Sequence, residues 1–454
     1  MFSILWVSLG YYWGKKNKNF EDHSLAGRNI GLALASATAV ATWITSNTTM
    51  LAPQFALQLG IWGILAYSTA SFGLLLFAPM AKRIQNLMPH GYTSGDFMRL
   101  RYGKKAWAVF LVFTFFYSIT WLVSMSMAGG VLLESLSSID YRIGMSVILF
   151  VCVVYTMRGG LFAVIGTDFI QSIIILAGIV VVGVAVIYTV DLDALHSNLK
   201  SDSPMLIEIF YPAAIMSVFN NLFFGIGEIF HNNVWWSRTF AFRKGLAQKA
   251  YLIAGLVWFP IPIAAGFIAL SSGVLDIAIP AADMVGPMVI GKVLGKAGAI
   301  VAFIVVFSSL ASSIDSLLAS TSDMITQDLY HKILRPKADD IQLKKVAQNV
   351  VLGLGVVTWL VCLPRIGTLG TILFFAGPMV GSMIWPVTAG LYSKKTNSTG
   401  VFWGMSAGCI TGLVAYFQIG WYVGALVGTI VSLLIVLVST WFKPDNFDFK
   451  RLRE

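Results

Sequence analysis

Apolar runs long enough to cross a bilayer recur along the whole chain. They lie at about 31–55, 59–81, 107–133, 142–157, 161–189 and 211–235, then at 247–271, 291–325, 346–363, 369–393, 399–418 and 420–442. A shorter run at 2–13 would add a thirteenth. Each full run approaches the roughly 20 residues that a transmembrane helix needs. With 57% hydrophobic and 11% charged residues over 454 positions, and a mean hydropathy of +0.78, the bilayer is the solvent. The runs lack the period-2 alternation of barrel strands, so helices must satisfy their own backbone. The expected fold class is an all-α polytopic membrane protein with about 13 transmembrane helices. The run at 2–13 is short for a span, and the first helix is expected to be truncated in this chain.

The net charge of +10 is topology rather than a footprint for nucleic acid. With thirteen spans and the N-terminus outside, the loops on one side hold most of the basic residues, including Lys15, Lys16, Lys18, Arg28, Lys82, Arg83, Arg238, Arg243 and Lys244. Only Arg142, Lys200, Lys292, Lys296 and Arg365 fall on the other side, where the 190–210 loop is acidic. This positive-inside asymmetry predicts a cytoplasmic C-terminus, a plasma-membrane location and no nucleic-acid partner. Cys152, Cys362 and Cys409 each sit in an apolar span. They imply neither a disulfide framework nor a zinc site.

One span is apolar only in part. In the stretch FIVVFSSLASSIDSLLASTSDMITQDLY (303–330), a 100° helical turn per residue places Ser309, Ser312, Ser313, Ser316, Ser320, Asp323 and Gln327 on one narrow face. Asp315 flanks that stripe. Hydroxyls buried in hydrocarbon need partners, and hard oxygen donors suit a small cation. Serines also let helices pack closely, but a full stripe beside a carboxylate points to a polar pathway or an ion site.

Two further spans are interrupted at mid-depth. The 31–55 run turns at Ala41 into TWITSNTTMLAPQ, and the sixth full span carries Asn220, Asn221, Gly225, Gly227, Glu228, His231, Asn232 and Asn233 before Trp235 and Trp236. A helix broken inside the membrane survives where its freed backbone lines a cavity. Two such helices, each opening a five-helix half, are the sequence pattern of an inverted-repeat transporter. The expected organisation is a first helix and cytoplasmic loop (1–30), two five-helix repeats (31–189 and 190–393), and two C-terminal helices with a tail (394–454).

Four stretches resemble the sodium:solute symporter family. They are GYYWGKKNKNFEDHSLAGRNIG (10–31), YTMRGGLFAVIGTDFIQ (155–171), SSIDSLLASTSDMITQDLY (312–330) and GPMVGSMIWPVTAGLYSKKTNSTGVFWGMSAG (377–408). The resemblance implies a LeuT-type fold of five plus five inverted helices, alternating access, and Na+ as the coupling ion. It implies sodium ligation by the carbonyls of Ala41, Ile44 and Ser309 and the hydroxyls of Ser312 and Ser313. Ser309 stands where the family usually has Ala, a change that a carbonyl ligand tolerates. Asp168 and Ser316 match a second cation site found in some members, where Asp315 is a departure; with two carboxylates there, one can titrate and carry a proton instead.

For the solute, the resemblance points to Thr45, Asn47 and Thr48 in the first broken helix and to Asn232 and Trp235 in the second. The seventh span lacks the lysine of sugar carriers, and the Thr42–Trp43 pair and the WWSR run lean toward the urea-transporter branch. The implied partners are a small polar solute and the lipid bilayer, with no obligate protein partner and no organic cofactor. An intramembrane enzyme using Glu228, His231 or Asp315 is a competing class, but the chain shows no nucleophile–base motif, metal-ligand set or nucleotide loop. A channel would share the polar helices but would not accumulate solute against a gradient.

Overall fold

The computed structural model describes residues 2–14, 19–137 and 139–453. Met1, and Lys15, Lys16 and Lys18 of the first basic loop, lie outside the described residues. The chain is built from helices: α1 (Phe2–Gly14), α2 (Phe20–Leu25), α3 (Leu32–Trp43), α4 (Ala52–Ser68), α5 (Ser71–Leu87), α6 (Ser94–Leu136), α7 (Tyr141–Thr189), α8 (Leu192–Asp202), α9 (Pro212–His231) and α10 (Asn233–Ala241). The second half adds α11 (Ala247–Trp258), α12 (Pro260–Leu270), α13 (Val285–Met324), α14 (Asp340–Cys362), α15 (Leu369–Phe375), α16 (Gly377–Ser382), α17 (Ile384–Tyr392), α18 (Ser398–Gln418) and α19 (Gly424–Phe442).

Ten helical stretches among the described residues are long and apolar enough to cross a membrane. The count is lower than the thirteen expected from the sequence because two expected pairs each form one stretch with a kink between its halves: α4 bends at Gly60 and α7 at Gly160, each glycine holding a positive φ (63° and 55°). Both breaks demand glycine sterically as well. A Cβ on Gly60 would fall 1.8 Å from the Leu206 carbonyl oxygen, and one on Gly160 would fall 2.5 Å from His23 Nδ1. The remaining shortfall is α1, which at 13 residues is too short to span alone.

The centre of the bundle is α13, which packs on α7, α6, α12 and α3. From Val305 to Met324 every residue of α13 is buried, hydroxyls included. Phe150, Tyr188, Trp403, Trp441 and Phe442 point outward with more than half their surface exposed, as lipid-facing side chains do. A backbone bridge ties the first loop to the end of α10: Ile30 donates its N–H to the Ala241 carbonyl (3.1 Å), and Arg243 donates to that of Ile30 (3.0 Å). The N-terminal end of α3 is thereby anchored to the end of α10.

Candidate ion and solute site

The break in α3 comes from competition by side-chain hydroxyls. Thr45 donates its backbone N–H to the Thr48 hydroxyl (3.2 Å) rather than continuing the helix, and Thr48 returns its N–H to the Thr45 hydroxyl (3.2 Å). Ile44 leaves helical geometry with ψ at 81°, and the chain resumes as a π-turn, Asn47–Leu51, before α4. Ala41 and Ile44 sit on the helical side of this break, both fully buried. α13 faces it. The Ser313 hydroxyl lies 3.5 Å from the Thr42 carbonyl and donates to the Ser309 carbonyl (3.0 Å), while the hydroxyls of Thr49 and Ser309 are 3.3 Å apart. Of the five residues expected to hold sodium, Ala41 and Ile44 lie at the break and Ser309 and Ser313 face it, while Ser312 turns its hydroxyl to Asp168 (2.5 Å); none of the five has exposed surface.

Beside them lies a charged cluster whose centre the sequence concealed. Asp168 Oδ1 accepts from the Ser312 hydroxyl (2.5 Å), and Oδ2 accepts from the Thr38 hydroxyl (2.5 Å) and from Arg238 Nη2 (3.2 Å). The same Nη2 donates to the hydroxyls of Thr42 and Ser316, both at 2.7 Å, and Arg238 Nε donates to Thr38 Oγ1 (3.1 Å). Sequence topology had assigned Arg238 to the cytoplasmic loops. The structure buries it completely, because α10 continues the sixth span past the hinge. Asp168, Asp315 and Ser316 are brought together as expected of a second cation site, but a guanidinium stands among them. Asp315 accepts from the Tyr155 hydroxyl (2.9 Å) and lies 3.3 Å from the Ser316 hydroxyl.

A small cavity, about 20 Å³ by the space open to the centre of a water molecule, opens between the two broken helices. Trp43, Tyr67, Tyr117, Trp121 and Trp258 form its aromatic wall, with Thr45, Asn47, Asn221 and Glu228 as its polar groups. Asn47 Oδ1 accepts from the Ser124 hydroxyl (3.1 Å), which leaves its amide N–H groups for the cavity. Of the residues expected to touch solute, Thr45 and Asn47 line this space. Thr48 turns its hydroxyl to the Trp43 carbonyl (3.1 Å). Asn232 forms the hinge of the sixth span, where its Oδ1 caps α10 by accepting from Val234 N–H (2.9 Å). Trp235 stands one layer out, edge-on to Trp43 at 5.4 Å.

The sequence reading placed Asn221 and Glu228 in the interrupted sixth span, and Glu228 also as a catalytic alternative, but gave neither a solute role, and gave Tyr67, Tyr117, Trp121 and Trp258 no role. Glu228 was the findable one: a lone carboxylate in an uncharged run. The aromatic wall is assembled from α3, α4, α6 and α11, and no single stretch of sequence signals it.

A family model described as the sodium:solute symporter family matches residues 23–408. The chain belongs to that family. It is a multi-pass membrane transporter and not an enzyme. The chain is 26% identical to the urea-proton symporter DUR3 of Oryza sativa subsp. japonica, over 99% of this chain and 70% of that protein. It is also 26% identical to the osmoregulated proline transporter OpuE of Bacillus subtilis (strain 168), over 91% of this chain and 87% of that protein. Its backbone matches a Na+-coupled sialic acid symporter with a TM-score of 0.81 at 17% identity, covering 98% of both chains. Mhp1, a nucleobase-cation-symport-1 family transporter, follows with a TM-score of 0.62 at 16% identity, over 96% of this chain and 98% of that one. These neighbours carry the LeuT-type fold of this symporter.

Proposed function

We propose that this chain is a sodium-coupled symporter of a small polar solute, set in the plasma membrane with its C-terminus in the cytoplasm. The carbonyls of Ala41, Ile44 and Ser309 and the hydroxyls of Ser312 and Ser313 hold one Na+. The observation that carries this reading is the approach of the Ser313 hydroxyl to the Thr42 carbonyl (3.5 Å), which sets the serine face of α13 against the broken end of α3. Oxygen ligands from both helices make the ion a clasp between them. An ion that binds only when the two are closed favours the conformer in which the adjoining cavity is formed, and this is the coupling.

Asp168, Asp315 and Ser316 have the donor chemistry of a second cation site. In this chain the Arg238 guanidinium serves as that cation, held by covalent attachment, so one mobile sodium accompanies each solute. A proton-coupled reading has one specific support. Asp315 makes no direct ion pair among the described residues, and its side-chain hydrogen bonds are to hydroxyls, so it is the carboxyl freer to take up and release a proton.

Uptake into proteoliposomes separates the two readings. Sodium coupling requires accumulation driven by an imposed sodium gradient at equal pH. Accumulation that follows only a pH gradient would overturn it.

A further inference from the structure

Arg142, Ser146, Phe150 and Val153 recur at helical spacing on α7, and Leu352, Val356, Trp359 and Leu363 do the same along α14. Between these two stripes runs an apolar groove of about 450 Å³, by the same space open to the centre of a water molecule. The helices touch at its floor, where a Cβ on Gly355 would fall 2.6 Å from Val153 Cγ2. The Trp359 indole N–H ties the walls together by donating to the Ser146 hydroxyl (2.8 Å). Phe150 and Leu352 are 68% and 51% exposed, so the groove opens outward to lipid. At its mouth Arg142 reaches across: its Nε donates to the Leu363 carbonyl (3.2 Å) at the end of α14. This exposed guanidinium forms no ion pair among the described residues. Asp140, two residues away, accepts from the Arg142 backbone N–H (2.8 Å) and so caps α7.

We propose that this groove is a binding site for one phospholipid, with the phosphate held by Arg142 and one acyl chain lying between α7 and α14. The dimensions agree. At 1.5 Å per residue, the wall from Ser146 to Val153 lies about 6–17 Å along the helix from Arg142. That is the depth of one leaflet in a hydrocarbon core about 30 Å thick. The leaflet is the one opposite the basic loops, the outer one in the orientation proposed above. Arginine presents a planar fork that matches phosphate oxygens, and such charge-assisted bonds are the strong ones. Ordinary solvating lipid meets apolar side chains anywhere on the bundle. Here a fixed cation stands at headgroup level directly above an apolar slot one chain deep, and that pairing selects a phosphate-bearing amphiphile over a second copy of the chain. The site is separate from the ion and solute site and does not depend on which ion drives transport.

The test titrates the purified full chain in detergent with phosphatidylglycerol brominated on one acyl chain, and reads the quenching of indole fluorescence. Saturable quenching is expected, and Trp359→Phe should remove most of the saturable part. Brominated diacylglycerol, which lacks the phosphate, should quench only in proportion to the amount added. Arg142→Gln should raise the half-saturating phospholipid concentration about tenfold. Val356→Phe fills the groove from the other helix and should weaken binding by a route that leaves the Arg142 contact to Leu363 intact, which covers the case in which Arg142→Gln fails to fold. Quenching that never saturates, or that saturates alike in wild type, Arg142→Gln and Val356→Phe, would overturn the proposal. Equal saturation by the diacylglycerol would do so too. Disulfide-linked dimers of a Phe150→Cys variant that form equally with and without phospholipid would assign the groove to a second copy instead.

Discussion

Arg238 Nη2 lies 3.2 Å from Asp168 Oδ2, and neither side chain has any exposed surface. The pair joins α10 to α7, and the Thr38, Thr42 and Ser316 hydroxyls complete its hydrogen bonds.

Breaking such a pair from one side leaves an uncompensated buried charge, at a cost of about 3–5 kcal/mol. Arg238→Gln and Asp168→Asn should each lower the melting temperature sharply. The double variant should be more stable than the sum of the two losses predicts. A double-mutant cycle by thermal unfolding checks this, and additive effects would show that the pair is not coupled.

Ser313 and Ser312 make different predictions despite being neighbours. Ser313→Ala removes a proposed sodium oxygen without touching the charged cluster, so it should raise the half-saturating sodium concentration several-fold and leave solute affinity at saturating sodium near wild type. Ser312→Ala also removes the 2.5 Å donor to Asp168 and should lose stability as well. Sodium titrations of uptake, paired with melting curves, separate them. Unchanged sodium dependence in both would displace the ion site.

Asn232 caps α10 and stands away from the cavity, so its alanine variant should act on the hinge. Loss of an N-cap costs about 1 kcal/mol. Turnover should fall more than KM rises, because bending of the sixth span, rather than solute contact, is impaired. A KM raised tenfold at unchanged turnover would return Asn232 to the solute site.

His23 supplies a pH dependence outside the membrane-spanning helices. Burial, and then the charge of Lys344, lower its pKa from 6.5 to about 4, and it packs against the Gly160 break. The folded protein therefore keeps His23 neutral while the unfolded chain protonates near pH 6.5. Stability from this group is complete above that pH and is lost as pH falls toward 4, by roughly 2 kcal/mol at pH 5. His23→Asn should flatten the fall in melting temperature between pH 7 and pH 5, and a slope equal to wild type would show that His23 does not titrate there.

Much of the fold was legible because hydrocarbon leaves few options: apolar length fixes helices, and mid-membrane hydroxyls mark breaks. The α3 break and the serine face of α13 could both be read residue by residue, since each feature lies within one segment. Arg238 could not. A basic residue just past an apolar run has the same local pattern whether it meets cytoplasm or a buried carboxylate seventy residues away in sequence. The roles of Thr48 and Asn232 were obscured similarly, because a polar side chain at a helix break serves the backbone or the cavity according to its rotamer.

If Arg238 takes the place of a second cation as proposed, a guanidinium tethered to α10 does not cross the membrane with the cargo, and this limits how steeply the carrier can concentrate it. One elementary charge moving through 100 mV releases about 2.3 kcal/mol, and a tenfold sodium gradient adds about 1.4 kcal/mol. With one mobile ion per neutral solute, the inside-to-outside ratio would stall at several hundredfold. A carrier with a second exchangeable sodium in place of Arg238 would reach the square of that ratio, and would draw twice the current for each molecule gathered.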